Sequence, residues 1–265
     1  MELIHLVLLG IVQGLTEFLP ISSVAHLILL PFLAGWEDQG LMYDIAAHAG
    51  SLAAIIFYLR KDLGRIIFSG ISYLSHRQAN SDSLLFWYLG IATIPIGIVA
   101  YCFYSVVATL LRDPLIIAIA TIIFGLLLGW ADRSCNRTRD LDKLKLKDAI
   151  IIGLAQVLAL VPGTSRSGIT MTAGLMLGFD RTTASRFSFL LAIPTISLAT
   201  GYECYRYLAM GEGADPFSFF IVFLTSAASA WLAVYLFLGF IEKTGMLPYV
   251  IYRLLLGLVL LVVFI

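Results

Sequence analysis

The architecture of this chain follows from PGTSRSGIT at Pro162–Thr170, a polar stretch that interrupts an apolar segment of about residues 149 to 179. A second apolar segment, of about residues 3 to 34, is interrupted in the same way by Pro20-Ile21-Ser22-Ser23. A helix needs roughly 20 apolar residues to cross a bilayer, and each half of either segment is too short. A break at membrane depth also frees backbone N–H and C=O groups, which only protein or a water-filled cavity can cover. We therefore expect two re-entrant helical hairpins.

The composition of the whole chain requires the bilayer as a solvent. Of its 265 residues, 60% are hydrophobic and 13% are charged, and the mean hydropathy is +0.95. An ordinary soluble domain has roughly a quarter of its residues charged. Six further apolar segments are long enough to span the membrane, at about 43–59, 84–108, 114–131, 184–202, 216–241 and 247–265. We predict an all-α polytopic membrane protein with about six transmembrane helices and two hairpins.

The two interrupted segments resemble each other. Gly10-Ile-Val-Gln13 and Gly153-Leu-Ala-Gln156 are followed, seven and six residues later, by a proline and then by a pair of hydroxyl residues. We predict one membrane domain over residues 1–265, built from two halves of about 1–131 and 149–265. A hairpin plus three spans makes an odd number of crossings, so the second half is inverted and the hairpin tips meet inside the membrane. The alternative is that both breaks are proline-kinked spanning helices and the similarity arises by chance.

Basic residues are concentrated in two segments between the spans, 60–83 and 132–148. Two predicted spans separate these segments, so they share a side of the membrane, which the positive-inside rule makes cytoplasmic. The linkers around 36–38, 112–113 and 203–215, and both termini, then lie outside. The first hairpin enters from the outer face and the second from the cytoplasm.

The overall charge and the cysteines argue against a nucleic-acid partner, a disulfide framework and a zinc site. Seventeen basic and seventeen acidic residues balance, which predicts no nucleic-acid partner. The three cysteines are far apart in the sequence, at Cys102, Cys135 and Cys204, and fit neither a disulfide framework nor a zinc site.

The first hairpin carries an acid, two hydroxyls and an imidazole. Gln13 and Glu17 are four residues apart and share a helix face, and Ser22, Ser23 and His26 follow just past the break. Ionisable groups are costly in an apolar segment, so these side chains need partners or a function. The alternatives are a helix-end carboxylate at Glu17, capping serines before the second half-helix, and a packing histidine at His26.

The second hairpin surrounds one arginine with hydroxyls and glycines. Arg166 lies among Thr164, Ser165, Ser167 and Thr170, together with two glycines at positions 163 and 168. Free N–H groups at a broken helix end, hydroxyl donors and a guanidinium form an anion-binding nest that suits phosphate. The alternative is a basic residue in an ordinary cytoplasmic loop, which the apolar flanks on both sides disfavour.

QGLTEFLPISSVAH at Gln13–His26 and PGTSRSGIT at Pro162–Thr170 resemble the two signature motifs of the undecaprenyl-diphosphate phosphatase family, the bacitracin-resistance proteins. The second motif fits the family pattern PGxSRSxxT at every fixed position, and Gln13 and Glu17 fit (E/Q)xxxE. The resemblance runs through the whole length and includes Asp44–Ser51 and Ala184–Pro194. Two departures are Gln13, where an acid is frequent, and Val24, where many members have a third hydroxyl.

The resemblance implies hydrolysis of the C55 polyprenyl diphosphate to its monophosphate, which recycles the lipid carrier for cell-wall synthesis and confers bacitracin resistance. It implies a site that faces the periplasm from the bacterial inner membrane. It makes Ser23 the nucleophile, Glu17 and His26 the groups that assist proton transfer, and Arg166 the clamp on the diphosphate. The predicted substrate-binding residues are Gln13, Ser22, Thr164, Ser165, Ser167 and Thr170.

The same resemblance implies a divalent cation, Mg²⁺ or Ca²⁺, held through Glu17 and Gln13 or by the phosphates of the substrate. The expected partners are the polyprenyl diphosphate and membrane lipids, and a homodimer is left open.

A water nucleophile activated by Glu17 or by a metal competes with Ser23. A carrier of polyprenyl phosphate or of another anion competes with the phosphatase. Ser23 and His26 favour the phosphatase, since a carrier needs no nucleophile, and phosphate release would distinguish the two.

Overall fold

The computed structural model describes residues 2–36, 40–76, 79–103, 113–211 and 215–264. Within these ranges the chain is α-helical and has no β-strand. The helices are α1 (Leu3–Glu17), α2 (Ser23–Ala34), α3 (Leu41–Tyr58), α4 (Arg60–His76), α5 (Ser81–Cys102), α6 (Pro114–Ser134), α7 (Leu146–Val157), α8 (Arg166–Met176), α9 (Arg181–Met210), α10 (Pro216–Thr244) and α11 (Leu247–Phe264). Short 3-10 helices occupy Leu141–Lys143 and Leu158–Leu160.

Six of the described helices are long and apolar enough to cross a membrane, namely α3, α5, α6, α9, α10 and α11. They coincide with the six predicted spans, so the prediction of an all-α, multi-pass membrane protein is confirmed. The largest difference in length is at α9, whose 30 residues extend to about 45 Å at 1.5 Å per residue. The predicted outer linker at 203–215 is therefore helical as far as Met210.

Some sequence predictions fall outside the described residues. They are the linker positions 37–38, 112 and 212–214, the last part of the predicted span 84–108, Arg77 and the two terminal residues.

Both predicted interruptions are present, and each separates two helices that pack against each other. The first lies at residues 18–22 between α1 and α2, and the second follows the 3-10 helix 158–160 and precedes α8. The two interruptions touch, because the Ser167 hydroxyl donates a hydrogen bond to the Leu19 carbonyl at 2.8 Å. This geometry is consistent with two re-entrant hairpins whose tips meet inside the molecule.

The two interruptions also share an unusual backbone conformation. Ser22 and Ser165 have φ values of 73° and 68°, and each directly precedes the second helix of its hairpin. This left-handed region is uncommon for residues other than glycine. The same conformation at corresponding positions is consistent with a chain of two related halves.

The packing of the helices follows the same correspondence. Helix α1 packs against α10, the middle span of the second half, and α7 packs against α5, the middle span of the first half. Both contacts need a glycine: a Cβ atom at Gly10 would lie 2.8 Å from the Val222 carbonyl oxygen, and one at Gly153 would lie 2.6 Å from that of Ala92. Small residues allow this close approach of membrane helices.

The apolar core lies directly beside the two interruptions. Phe18, in the first interruption, is fully buried and packs edge-to-face against Phe189 of α9, with ring centroids 5.7 Å apart. Phe189 in turn contacts Phe237 of α10, also at 5.7 Å. The core therefore holds the first interruption against spans of the second half.

Part of one basic segment, which was predicted to be a loop between spans, forms helix α4. This helix exposes Phe68, Ile71 and Leu74, and its Asp62 pairs with Arg186 of α9. Residues of α4 and of 141–144 line one cleft, so the two basic segments lie at the same end of the molecule. That placement agrees with the prediction that they share a side of the membrane.

Candidate active site

A cavity of about 230 Å³ lies where the two interruptions meet. Helices α2 and α8 both begin at its wall, so the N-H groups of two helix starts and the positive ends of two helix dipoles are directed towards it. An anion is stabilised at such a position. The polar residues of the wall are Glu17, Ser22, Ser23, His48, Ser165, Arg166 and Thr195.

Glu17 is the centre of the hydrogen-bond network in this cavity. Its Oε1 atom accepts from Arg166 Nη2 at 3.2 Å, and the two side chains are only 9% and 11% exposed. Its Oε2 atom accepts from the Ser23 hydroxyl at 2.9 Å and from Gln13 Nε2 at 3.0 Å. Removing one partner of a buried ion pair typically costs about 3–5 kcal/mol. This pair therefore joins the two hairpins as well as forming the site.

Arg166 is the first residue of α8, and its guanidinium reaches back across the cavity. Besides Glu17, it donates to the Ser188 carbonyl at 3.2 Å and lies 5.7 Å from the centre of the Phe18 ring. The backbone N–H groups of Arg166 and Ser167 precede the first hydrogen bond of the helix, from Ile169 N–H to the Ser165 carbonyl. The guanidinium and the helix start therefore both lie at the cavity wall, which is the geometry that the predicted anion-binding nest requires.

His48 of α3 is a wall residue to which the sequence analysis assigned no role. Its Nδ1–H donates to the Asp44 carbonyl at 2.8 Å, which leaves Nε2 directed towards Glu17 Oε2 at 3.9 Å. The signal in the sequence was a histidine inside a predicted span, where an ionisable residue is costly and often functional. The structure brings it to Glu17 because α3 packs against α1.

His26 lies away from the Ser23 hydroxyl that it was expected to assist. Its Nδ1–H donates to the Ser22 carbonyl at 2.7 Å, and its Nε2 is 2.5 Å from the hydroxyl of Tyr252 on α11. The two rings are nearly parallel, with centroids 5.5 Å apart. Both ring nitrogens are therefore engaged by other groups, and the side chain that accepts from Ser23 is Glu17.

The predicted substrate-binding residues divide into two groups. Ser22 and Ser165 line the cavity, and the Ser165 hydroxyl also caps α8 by accepting from Gly168 N–H at 3.1 Å. The others lie behind the wall: Ser167 bonds to Leu19, Thr170 bonds to Ser188, Gln13 bonds to Glu17, and Thr164 is buried. Their hydrogen bonds and burial hold the interruptions in place.

Arg253 of α11 is a second residue to which the sequence analysis assigned no role. It is fully buried and donates to three backbone carbonyls: Nε to Thr121 at 3.1 Å, Nη2 to Gly163 at 2.9 Å and Nη1 to Pro20 at 3.5 Å. One guanidinium thus holds both interruptions from behind. An arginine in the middle of an apolar span was the available signal.

The chain matches the model of one known family. The family model of "Bacitracin resistance protein BacA" matches residues 6–259, which is nearly the whole chain. The chain belongs to this family. Both the Glu17 network and the Arg166 helix start lie within the matched region.

Several members of the BacA family are similar to this chain over their full length. Undecaprenyl-diphosphatase 2 of Stutzerimonas stutzeri is 50% identical over 267 residues, which cover 100% of this chain and 99% of that protein. The undecaprenyl-diphosphatase of Teredinibacter turnerae is 48% identical over 98% of both chains. That of Thioalkalivibrio sulfidiphilus is 48% identical over 100% of both chains.

The divalent cation implied by the resemblance to the BacA family can be tested against the groups around Glu17. In the described part of the chain, no three His, Cys, Asp or Glu side chains lie close enough together to hold a metal ion. Both Glu17 oxygens accept hydrogen bonds, one of them from a guanidinium. Gln13 Oε1 is buried and has no hydrogen-bond partner. These residues do not fit a cation held by the protein alone, since Mg²⁺ and Ca²⁺ require several oxygen ligands.

Proposed function

We propose that this protein hydrolyses undecaprenyl diphosphate to undecaprenyl phosphate and inorganic phosphate. Membership of the BacA family and relatives named undecaprenyl-diphosphatase that are about half identical support the proposal. The observation that carries it is the hydrogen bond from Ser23 Oγ to Glu17 Oε2, 2.9 Å long, in a cavity lined by Arg166 and by the starts of two helices, groups that stabilise an anion.

In the proposed reaction the Ser23 oxygen attacks the terminal phosphorus of the diphosphate, and Glu17 takes the serine proton. The bond from that phosphorus to the bridging oxygen breaks, and undecaprenyl phosphate leaves. Water then attacks the phosphoserine, releases inorganic phosphate and restores the serine hydroxyl. Serine is a poor nucleophile without a proton acceptor, which is the reason for placing Glu17 in this role. Direct attack by a water that Glu17 activates is the competing mechanism.

Arg166 has two successive roles in this proposal. Before substrate binds, the guanidinium pairs with Glu17 and neutralises the buried carboxylate. When the diphosphate enters, we propose that Arg166 donates to its oxygens and stabilises the charge that develops in the transition state. The exchange of partners would free one Glu17 oxygen while Ser23 remains bonded to the other.

We propose that the divalent cation enters with the substrate and not as a resident of the protein. The diphosphate itself supplies several oxygens, while Glu17 is the only acid among the described residues of the cavity wall. Phosphates with one or two carboxylates are a common environment for Mg²⁺.

We further propose that the protein lies in the bacterial inner membrane with this cavity facing the periplasm. The two basic segments lie together at one end of the molecule and contribute no residue to this cavity, which supports the orientation through the positive-inside rule. Recycling of the lipid carrier for cell-wall synthesis and resistance to bacitracin follow from the proposed reaction.

Phosphate release by the purified protein in detergent tests the function. We expect release from a long-chain prenyl diphosphate, and a loss of several orders of magnitude in Ser23→Ala. Ser75→Ala, the same change at an exposed site on α4, serves as the control. Acid quenching during turnover should trap phosphate on Ser23. No release by the unmodified protein would refute the function. Retained release by Ser23→Ala would exclude Ser23 as the nucleophile and favour direct attack by water.

A further inference from the structure

A second cavity, of about 370 Å³, lies between α5 and α9. It shares three wall residues with the active-site cavity, namely Ile96, Thr195 and Ala199. The two spaces are therefore adjacent, with these three residues at their boundary. A molecule with its polar group beside Arg166 would reach the second cavity by passing these side chains.

The second cavity differs from the first in its chemistry. The active-site cavity contains the buried ion pair of Glu17 and Arg166. The wall of the second cavity is mainly apolar, with Gly97, Ala100, Leu160 and Leu198, and it also includes Glu203 and two tyrosines. Leu198 is 59% exposed, so this space opens at the surface of the spans. We call it the α5–α9 groove.

Local sequence explains why the helices leave this groove open. Each of the two helices contains an internal proline beside a shared wall residue, Pro95 before Ile96 and Pro194 before Thr195. A proline inside a helix removes a backbone hydrogen bond and bends the helix. Gly97 adds space, because a Cβ atom built there meets nothing within 4 Å.

We propose that the α5–α9 groove holds the first isoprenoid units of the lipid substrate, the part of the prenyl chain next to the diphosphate. The inference rests on the proposed function and assigns the tail to a defined place in the fold. A free anion would need the polar cavity alone, whereas a prenyl diphosphate needs an apolar space beside it.

The groove acts by shape more than by hydrophobicity. Lipid tails are as apolar as the groove wall, so transfer of a prenyl chain from the bilayer into the groove gains little hydrophobic free energy. What the groove supplies is position, because a chain held there fixes the diphosphate against Ser23 and Arg166. Filling the groove should therefore impair turnover of lipid substrates and leave the binding of a tail-free anion intact.

The experiment compares two glycines of α5 that lie seven residues apart. Gly97 lines the groove, Gly90 does not, and a Cβ atom at either position meets nothing within 4 Å. Gly97→Leu should lower kcat/KM for undecaprenyl and farnesyl diphosphates by at least about tenfold, while Gly90→Leu should stay within about twofold of the unmodified protein. Gly97→Ala should have an intermediate effect.

Competitive inhibition by inorganic diphosphate distinguishes an effect on the α5–α9 groove from an effect on the active-site cavity. Its inhibition constant should be the same in all variants, since this anion has no tail. If Gly97→Leu lowers the melting temperature, Ala100→Leu, on the same wall, takes its place. Unchanged turnover of both lipid substrates in the groove variants would overturn the proposal and assign the groove to ordinary bilayer lipid. No turnover by the unmodified protein would instead refute the proposed function.

Discussion

Glu17 illustrates how one buried carboxylate can organise a site inside a membrane. It accepts from Ser23 and Gln13 of its own hairpin and from Arg166 of the other. The motif spacing placed Glu17, Ser23 and His26 close together but could not say which of the two bases serves Ser23. That choice depends on side-chain direction, and α11 supplies Tyr252 as the partner of His26.

Glu17→Gln tests this organisation. We expect at least about a hundredfold loss of phosphate release, because the amide cannot take the serine proton. The Arg166 charge is left buried without its carboxylate, so the free energy of unfolding should fall by about 3–5 kcal/mol. A divalent-metal titration of the residual activity should keep the midpoint of the unmodified protein if the cation enters with the substrate. A strongly shifted midpoint would make Glu17 a cation ligand.

Arg253→Lys tests the guanidinium that holds both interruptions. A lysine keeps the charge but has one nitrogen in place of the three that donate to Thr121, Gly163 and Pro20. Each buried carbonyl left without a donor costs about 1–3 kcal/mol. We expect a lower melting temperature and a reduced kcat with little change in the inhibition constant of inorganic diphosphate. Full kcat in a destabilised variant would limit Arg253 to a purely structural role.

Close helix–helix contacts at glycines set the distance between the two halves of the chain. Gly153 of α7 lies against the Ala92 carbonyl of α5, and Gly10 of α1 lies against α10 in the corresponding way. The sequence repeat pointed to these glycines, but their contacts with the opposite half required the packed structure. The close approach places α8, and with it Arg166, opposite the first hairpin.

Gly153→Ala should destabilise the protein, since its Cβ atom would lie 2.6 Å from a backbone carbonyl that cannot move alone. Gly201→Ala on α9 is the matched control, because a Cβ atom there meets nothing within 4 Å. The control should be neutral or gain up to about 1 kcal/mol from the higher helix propensity of alanine. Thermal unfolding in detergent measures both. Equal melting temperatures for the two variants would contradict the proposed close contact.

For the whole molecule, the distribution of charge predicts how it lies in the bilayer. The two basic segments share one end of the structure, and α10 begins at Pro216, directly after the predicted outer linker 203–215. In a background without Cys102, Cys135 and Cys204, we expect Lys143→Cys to react with an impermeant thiol reagent only when the cytoplasmic face is open. Phe217→Cys should react in intact spheroplasts. The reverse pattern would invert the proposed orientation and place the site on the cytoplasmic side.

The spans, the two interruptions and the principal chemical groups could all be predicted from the linear chain. Hydropathy, helix-breaking residues and motif spacing are local properties, so they can be recognised in the sequence without knowledge of the fold. This is why Glu17, Ser23, Ser165 and Arg166 were found and do line one cavity.

The remaining features depend on which helix faces meet. His48, Arg253 and the α5–α9 groove come from segments distant in the chain, and helix packing alone brings them to the interruptions. Packing also turned Ser167 and Thr170 inwards to hold the hairpins together. A pattern along one segment gives the residues that can do chemistry, but the partner of each side chain is a property of contacts between segments.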